Sequence, residues 1–114
     1  MPHPVIHAEI RSGDPSATRA FFADLFGWTY ADGGLPGYTF ADTGVHDALP
    51  TAIGPLQGGS EAVLFFVGVE DVAATLAEAE RLGGRTIQPP QEVPGVTFGV
   101  FADPQGHVVG VAAN

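Results

Sequence analysis

His7 and Glu9 stand two residues apart in the stretch VIHAEI, alternating with Ile6, Ala8 and Ile10. An extended chain sends successive side chains to opposite faces, so this pattern places an imidazole and a carboxylate together against an apolar row. Three chemistries suit such a pair. It could belong to a metal site, act as an acid–base or ligand-anchoring pair in which the carboxylate fixes the imidazole tautomer, or simply line a hydrated strand face. Glu9 in any buried setting needs water or a cationic partner, because an uncompensated carboxylate is costly to desolvate.

Composition narrows the chemistry. The 114 residues contain no cysteine, which removes disulfides, thiolate nucleophiles and sulfur-based zinc sites. They contain no lysine either: the four cations are Arg11, Arg19, Arg81 and Arg85. Schiff-base chemistry and a Walker-type phosphate loop are thereby excluded. A formal charge of −9 opposes nucleic-acid binding and suits a neutral or cationic ligand, or serves solubility alone. No run of apolar residues is long enough to span a membrane, and MPHPVIH has no signal-peptide pattern, so a cytoplasmic location is expected.

The elements that must position His7 and Glu9 recur. A shift of 57 residues lays Asp14 on Asp71, Ala17 on Ala74, Thr18 on Thr75, Ala20 on Ala77, Leu25 on Leu82 and His7 on Leu64. TFADTG at 39–44 is echoed by VFADPQG at 100–106. Each copy opens with a strand, about 4–11 and 62–69, and continues into a helix capped by Asp14 or Asp71. Pro15 suits the first helical position, and Gly27 and Gly83-Gly84 suit the helix ends. Ala17, Phe21 and Leu25 are expected to line the buried side of the first helix, and Val72, Leu76, Ala79 and Leu82 that of the second. Short strands follow near 28–31, 37–42 and 49–54, then 85–88, 96–102 and 107–112, with GGLPG, GPLQGG and QPPQEVPG as turn-rich connectors.

The fold expected is α+β: one domain over 1–114 made of two tandem βαβββ modules, about 4–56 and 60–114. A helix covers only one face of each sheet, so the bare faces are expected to form a cup that holds a small molecule. Strand phase puts Leu64 and Phe66 on the cup side with His7, and Val63, Phe65 and Val67 under the second helix. Tyr38 and Phe40 share a phase and could stack on a flat ligand; Val108, Gly110 and Ala112 share one on the last strand. His107 and Trp28 read as structural, and His46 with Asp47 as polar loop residues.

The segments VIHAEIRSGDPSATRAFFADLFGW, GVEDVAATLAEAERLGGRTI and VFADPQGHVVGV, in that order, resemble the vicinal oxygen chelate superfamily over nearly the whole chain. That superfamily includes glyoxalase I, extradiol dioxygenases, fosfomycin-resistance enzymes and bleomycin-resistance proteins. The resemblance implies a homodimer and, in the metal enzymes, a divalent ion in the cup. His7 matches the first ligand position. Leu64 and Gly110 stand at two others, and a further one falls near Thr51. One imidazole with Glu9, or with His46 approaching from its loop, falls short of the three protein ligands a catalytic zinc takes. The expectation is therefore no cofactor, although His7 could hold a divalent ion weakly. His7 and Glu9 are the candidate catalytic pair, Tyr38, Phe40, Leu64, Phe66 and Gly110 the candidate ligand contacts, and an apolar or aromatic, neutral or cationic small molecule the expected partner. Sequestration of such a molecule and acid–base catalysis on it both remain open.

Overall fold

A computed structural model describes residues 2–114. The chain forms two compact units, His7–Val63 and Leu64–Asn114, the second taking in residues 2–6. Strand β1 (Val5–Ser12) leads to helix α1 (Pro15–Phe26), then to β2 (Thr29–Asp32), β3 (Thr39–Asp42) and β4 (Thr51–Pro55). The pattern repeats as β5 (Ala62–Gly68), α2 (Val72–Arg81), β6 (Arg85–Val93), β7 (Val96–Ala102) and β8 (Val108–Ala113). Both βαβββ modules are thus present, with strand orders β2-β3-β4-β1 and β5-β8-β7-β6. In each, the first strand pairs in parallel with the last, β1 with β4 and β5 with β8, as the crossover through a helix requires.

Local signals account for the helices. The Asp14 carboxylate accepts from the Ala17 amide at 3.1 Å and Asp71 from the Ala74 amide at 3.0 Å, each meeting a donor the first turn leaves unpaired. Asp71→Ala is expected to cost about 1 kcal/mol in urea unfolding. Gly27 ends α1 at φ 76°, a left-handed angle that glycine adopts without strain.

The inward faces differ from the sequence expectation. On α1, Phe21 and Leu25 are 60% and 59% exposed and Ala17 is exposed too. Thr18 and Phe22 are half-buried instead, and the Thr18 hydroxyl lies 2.7 Å from that of Ser12. Apolar residues almost encircle this helix, so two stripes fit its period, and a polar contact on Thr18 accompanies the inward one. On α2, Val72 and Leu76 are buried with Val111, against Val67, Val69, Phe101 and Ala113. Leu82 is exposed because it is already the C-cap. Val63, 78% exposed, and Phe65 share the phase of Val67, but α2 does not reach along β5 to cover them.

The QPPQEVPG segment is another correction. β6 runs through Pro89 and Pro90 rather than turning there. Its ladder to β7 shifts register between Gln88 and Gln91, where two residues without an N–H are tolerated on a terminal strand of the sheet.

Candidate functional site

The polar face of β1 carries three residues in phase, His7, Glu9 and Arg11. Glu9 is 3% exposed, and both its oxygens are engaged. The Arg11 Nε donates to Oε2 at 2.5 Å, and the Tyr38 hydroxyl donates to Oε1 at 2.7 Å. The His7 Nε2 lies 3.0 Å from the Tyr38 oxygen and 3.6 Å from Glu9 Oε1, so the imidazole faces both the phenol and the carboxylate.

Burial alone would raise the Glu9 pKa. Hydrogen bonds from His7, Tyr38 and Arg11, with the Arg11 charge, outweigh it and hold Glu9 below the ordinary carboxylate range. Tyr38 is pushed far above the usual phenol range by burial, by the Glu9 charge and by its hydrogen bond to Glu9. Near neutral pH the site therefore holds a carboxylate and a protonated phenol.

A carboxyl group whose folded pKa is depressed gives stability that is fully present above its unfolded value, here 4.5, and is lost as pH falls through the folded value. Glu9→Gln is expected to flatten the acid limb of stability below that pH. An unchanged limb, measured by urea midpoints across the acid range, would show that Glu9 is not held this way.

Tyr38 precedes β3 and owes its position to two glycines. A Cβ on Gly54 would lie 2.6 Å from Tyr38 Cδ2, and one on Gly33 2.6 Å from Cδ1. Gly54 pairs with Arg11 across the β1–β4 ladder, so the bare backbone makes room for the ring beside the guanidinium. Phe40, two residues on, sets its ring edge-on to both His7 and Tyr38, with centroids 5.5 Å away in each case. Phe40 also lines a groove of about 480 Å³ with Trp28, Val45, His46, Leu49 and Thr51.

Sequence reading brought His7, Glu9, Tyr38 and Phe40 forward, and the structure brings all four together. It missed Arg11 and Gly54. Arg11 shares the two-residue phase of His7 and Glu9, a signal that was readable; Gly54 gains meaning only from the β1–β4 register.

Leu64, Phe66, Gly110 and His107 lie in the second unit. Leu64 and Phe66 are buried. Gly110 was expected to enlarge a cup, but a Cβ there would meet the Phe66 ring at 2.4 Å: the phenyl group fills the space. Phe66 also packs edge-on to Phe98. Thr51 pairs with Ala8 and so takes the face opposite His7, while Ala52 is the residue beside Glu9. The His46 side chain is fully exposed next to Asp47. His107 ties back to Asp103 at 2.9 Å across the DPQG turn, in keeping with a structural role.

A cation at Glu9 would have to displace the guanidinium or the phenol. Among the described residues, no group of three or more His, Asp or Glu is arranged to hold a metal ion.

Compared with known protein families, residues 7–112 match the model of the glyoxalase-like domain. The chain belongs to this family, within the vicinal oxygen chelate superfamily. The glyoxalase-like domain is 26% identical over 113 residues to a protein of Mycobacterium bovis named "Putative glyoxylase CFP32", a match covering 90% of this chain. It spans 42% of that relative's length. A glyoxalase/bleomycin resistance protein/dioxygenase superfamily member from Vibrio splendidus has the same fold, with TM-score 0.64, 14% identity and coverage of 99% of this chain and 100% of that one. The Mn(II)-bound glyoxalase of Novosphingobium aromaticivorans shares it at TM-score 0.59 and 21% identity, over 96% of this chain and 37% of that one. So does a methylmalonyl-CoA epimerase of Streptomyces coelicolor, at TM-score 0.57 and 19% identity, over 97% of this chain and 94% of that one. The α+β fold of this glyoxalase-like domain is therefore that of the glyoxalase/bleomycin-resistance proteins. No helix among the described residues is long and apolar enough to cross a membrane.

Proposed function

We propose that this glyoxalase-like domain binds a small, largely apolar or aromatic molecule, neutral or cationic, beside His7 and without a resident metal ion. One observation carries the proposal: both oxygens of Glu9 are spent on Arg11 and Tyr38, so the polar corner is neutralised from within. Support comes from the groove that Phe40 lines with Trp28, Val45 and Leu49, His7 lying edge-on to Phe40, and from the −9 charge, which favours cations. The protein acts as a cytoplasmic homodimer that sequesters its ligand.

A thermal-shift screen of aromatic and cationic compounds tests this, since a ligand at 100 times its Kd adds about 2.7 kcal/mol. Near-stoichiometric zinc, nickel, manganese or iron in protein purified without chelator, and lost in His7→Ala, would overturn the metal-free part.

The hydrogen-bond chain from His7 to Glu9 favours a second reading, an acid–base enzyme in which His7 moves the proton. Two of the structures that share the fold, a glyoxalase and an epimerase, are in keeping with it. Solvent-deuterium exchange into a bound carbon acid, abolished by His7→Gln, would distinguish catalysis from storage.

A further inference from the structure

Helix α1 is apolar over most of its circumference, yet no residue in it is buried. A helix of that composition belongs inside a core, and twelve residues hold a helix poorly in water without packing. Phe21, Leu25 and Phe26 are left 60%, 59% and 59% exposed. Phe22 joins them into one patch: its ring lies edge-on to Phe21 with centroids 5.2 Å apart, and stacks on Phe26 at 5.9 Å and on Trp28 at 5.4 Å. All five residues belong to the unit His7–Val63. The second copy of the frame shows that the fold itself does not require them. Under the shift of 57 residues, Phe21, Phe22, Phe26 and Trp28 fall on Glu78, Ala79, Gly83 and Arg85. There α2 buries Val72 and Leu76 and leaves the Glu78–Arg81 ion pair to water.

We propose that the aromatic face of α1, built from Phe21, Leu25, Phe26 and Trp28, is the surface through which two copies of this chain pair. The inference rests on the homodimer proposed above and names its interface. Charge points to a second copy as the occupant. A chain of charge −9 repels its own kind, and a twofold pairing sets each patch against itself, so the face that pairs must be nearly free of charge. The two charged residues of α1, Arg19 and Asp24, fall to either side of the patch by helical spacing. Arg19 is bonded to the Gly37 carbonyl and the Ser16 hydroxyl. Area agrees with this occupant. Side chains of this size, so exposed, contribute on the order of 100 Å² each, and two copies would cover on the order of 600 Å² of apolar surface. That is about half of the roughly 1,200 Å² that small stable interfaces bury, and a polar rim around an apolar centre supplies the remainder.

Sedimentation velocity of the full chain over a dilution series, from the millimolar to the micromolar range and with no ligand added, tests the pairing. The emission of Trp28, the single tryptophan of the chain, is followed alongside. The expected result is a dimer that dissociates on dilution, with the Trp28 emission moving to longer wavelength over the same range as the ring edge meets water. Phe21→Glu and Leu25→Glu each set a carboxylate against its own copy across the axis. Each is expected to raise the dimer dissociation constant about a hundred-fold or more, with the circular dichroism of the fold retained. Val63→Glu, on a strand position that is 78% exposed, is expected to leave the dimer intact.

A wild-type dimer that neither α1 variant weakens overturns the interface and leaves the homodimer standing, as does a dimer that only Val63→Glu breaks. A wild type that stays monomeric throughout the series overturns both. Flotation of such a monomer with phosphatidylcholine vesicles would assign the face to a lipid surface instead. If Phe21→Glu does not fold, Leu25→Glu carries the same readout.

Discussion

Arg11→Met is expected to destabilise the fold by about 3–5 kcal/mol at neutral pH. Methionine keeps much of the apolar stem and removes the guanidinium, leaving Glu9 as a buried carboxylate with only Tyr38 and His7 beside it. Such a change costs far more than the net value of an ion pair, because the remaining charge has lost both water and counter-charge. The sign of its pH dependence follows. In the variant, Arg11 no longer offsets burial, so the folded pKa of Glu9 rises from its wild-type position. The deficit is then full above the raised pKa and shrinks as pH falls through it. Adding Glu9→Gln to Arg11→Met should recover much of the loss, since an amide can still accept from Tyr38 and needs no cation. Urea unfolding of the two single variants and the double variant measures this cycle. Equal midpoints for Arg11→Met and wild type would show that the pair contributes nothing.

Gly110→Ala is the second large effect, at about 1–3 kcal/mol from overpacking. One methyl group there would lie 2.4 Å from the Phe66 ring, and Phe66 is buried against Phe98 with little room to withdraw. The cost should be strongly coupled to ring size. Phe66→Leu frees the space over residue 110, so Phe66→Leu with Gly110→Ala should be less destabilising than the sum of its parts. Additive losses in the double-mutant cycle would mean that ring and backbone are not in contact. Glycine at this position thus has a packing reason independent of any ligand.

Much of the fold was legible in the sequence because its strongest signals are local. Asp14 with Pro15, Asp71, and the glycines behind each helix mark the starts and stops within a few residues. What could not be read locally was misplaced. The inward face of α1 was ambiguous because apolar residues almost encircle it, and Thr18 gave no hydrophobic cue. Pro89-Pro90 looked like a turn because nothing nearby reveals that β6 terminates its sheet and can carry a register shift. The site divides the same way. His7, Glu9 and Arg11 are a two-residue periodicity on one strand, whereas the contact between Tyr38 and Glu9 spans 29 residues and depends on the pairing of Arg11 with Gly54. Sequence periodicity gives a residue its side of a sheet, and strand register decides which neighbour it meets there.

The repeat of 57 residues that lays His7 on Leu64 also lays Glu9 on Phe66 and Arg11 on Gly68. Equivalent strand positions therefore carry a salt-linked carboxylate in one half of the chain and a phenyl ring over a bare backbone in the other. The first arrangement dissolves when a proton arrives, while the second is indifferent to acid. Amide hydrogens in β1 and β4 should lose their protection against exchange as pH falls below 4.5, before those in β5 and β8 do. Two copies of one frame are then expected to open at separate acid thresholds.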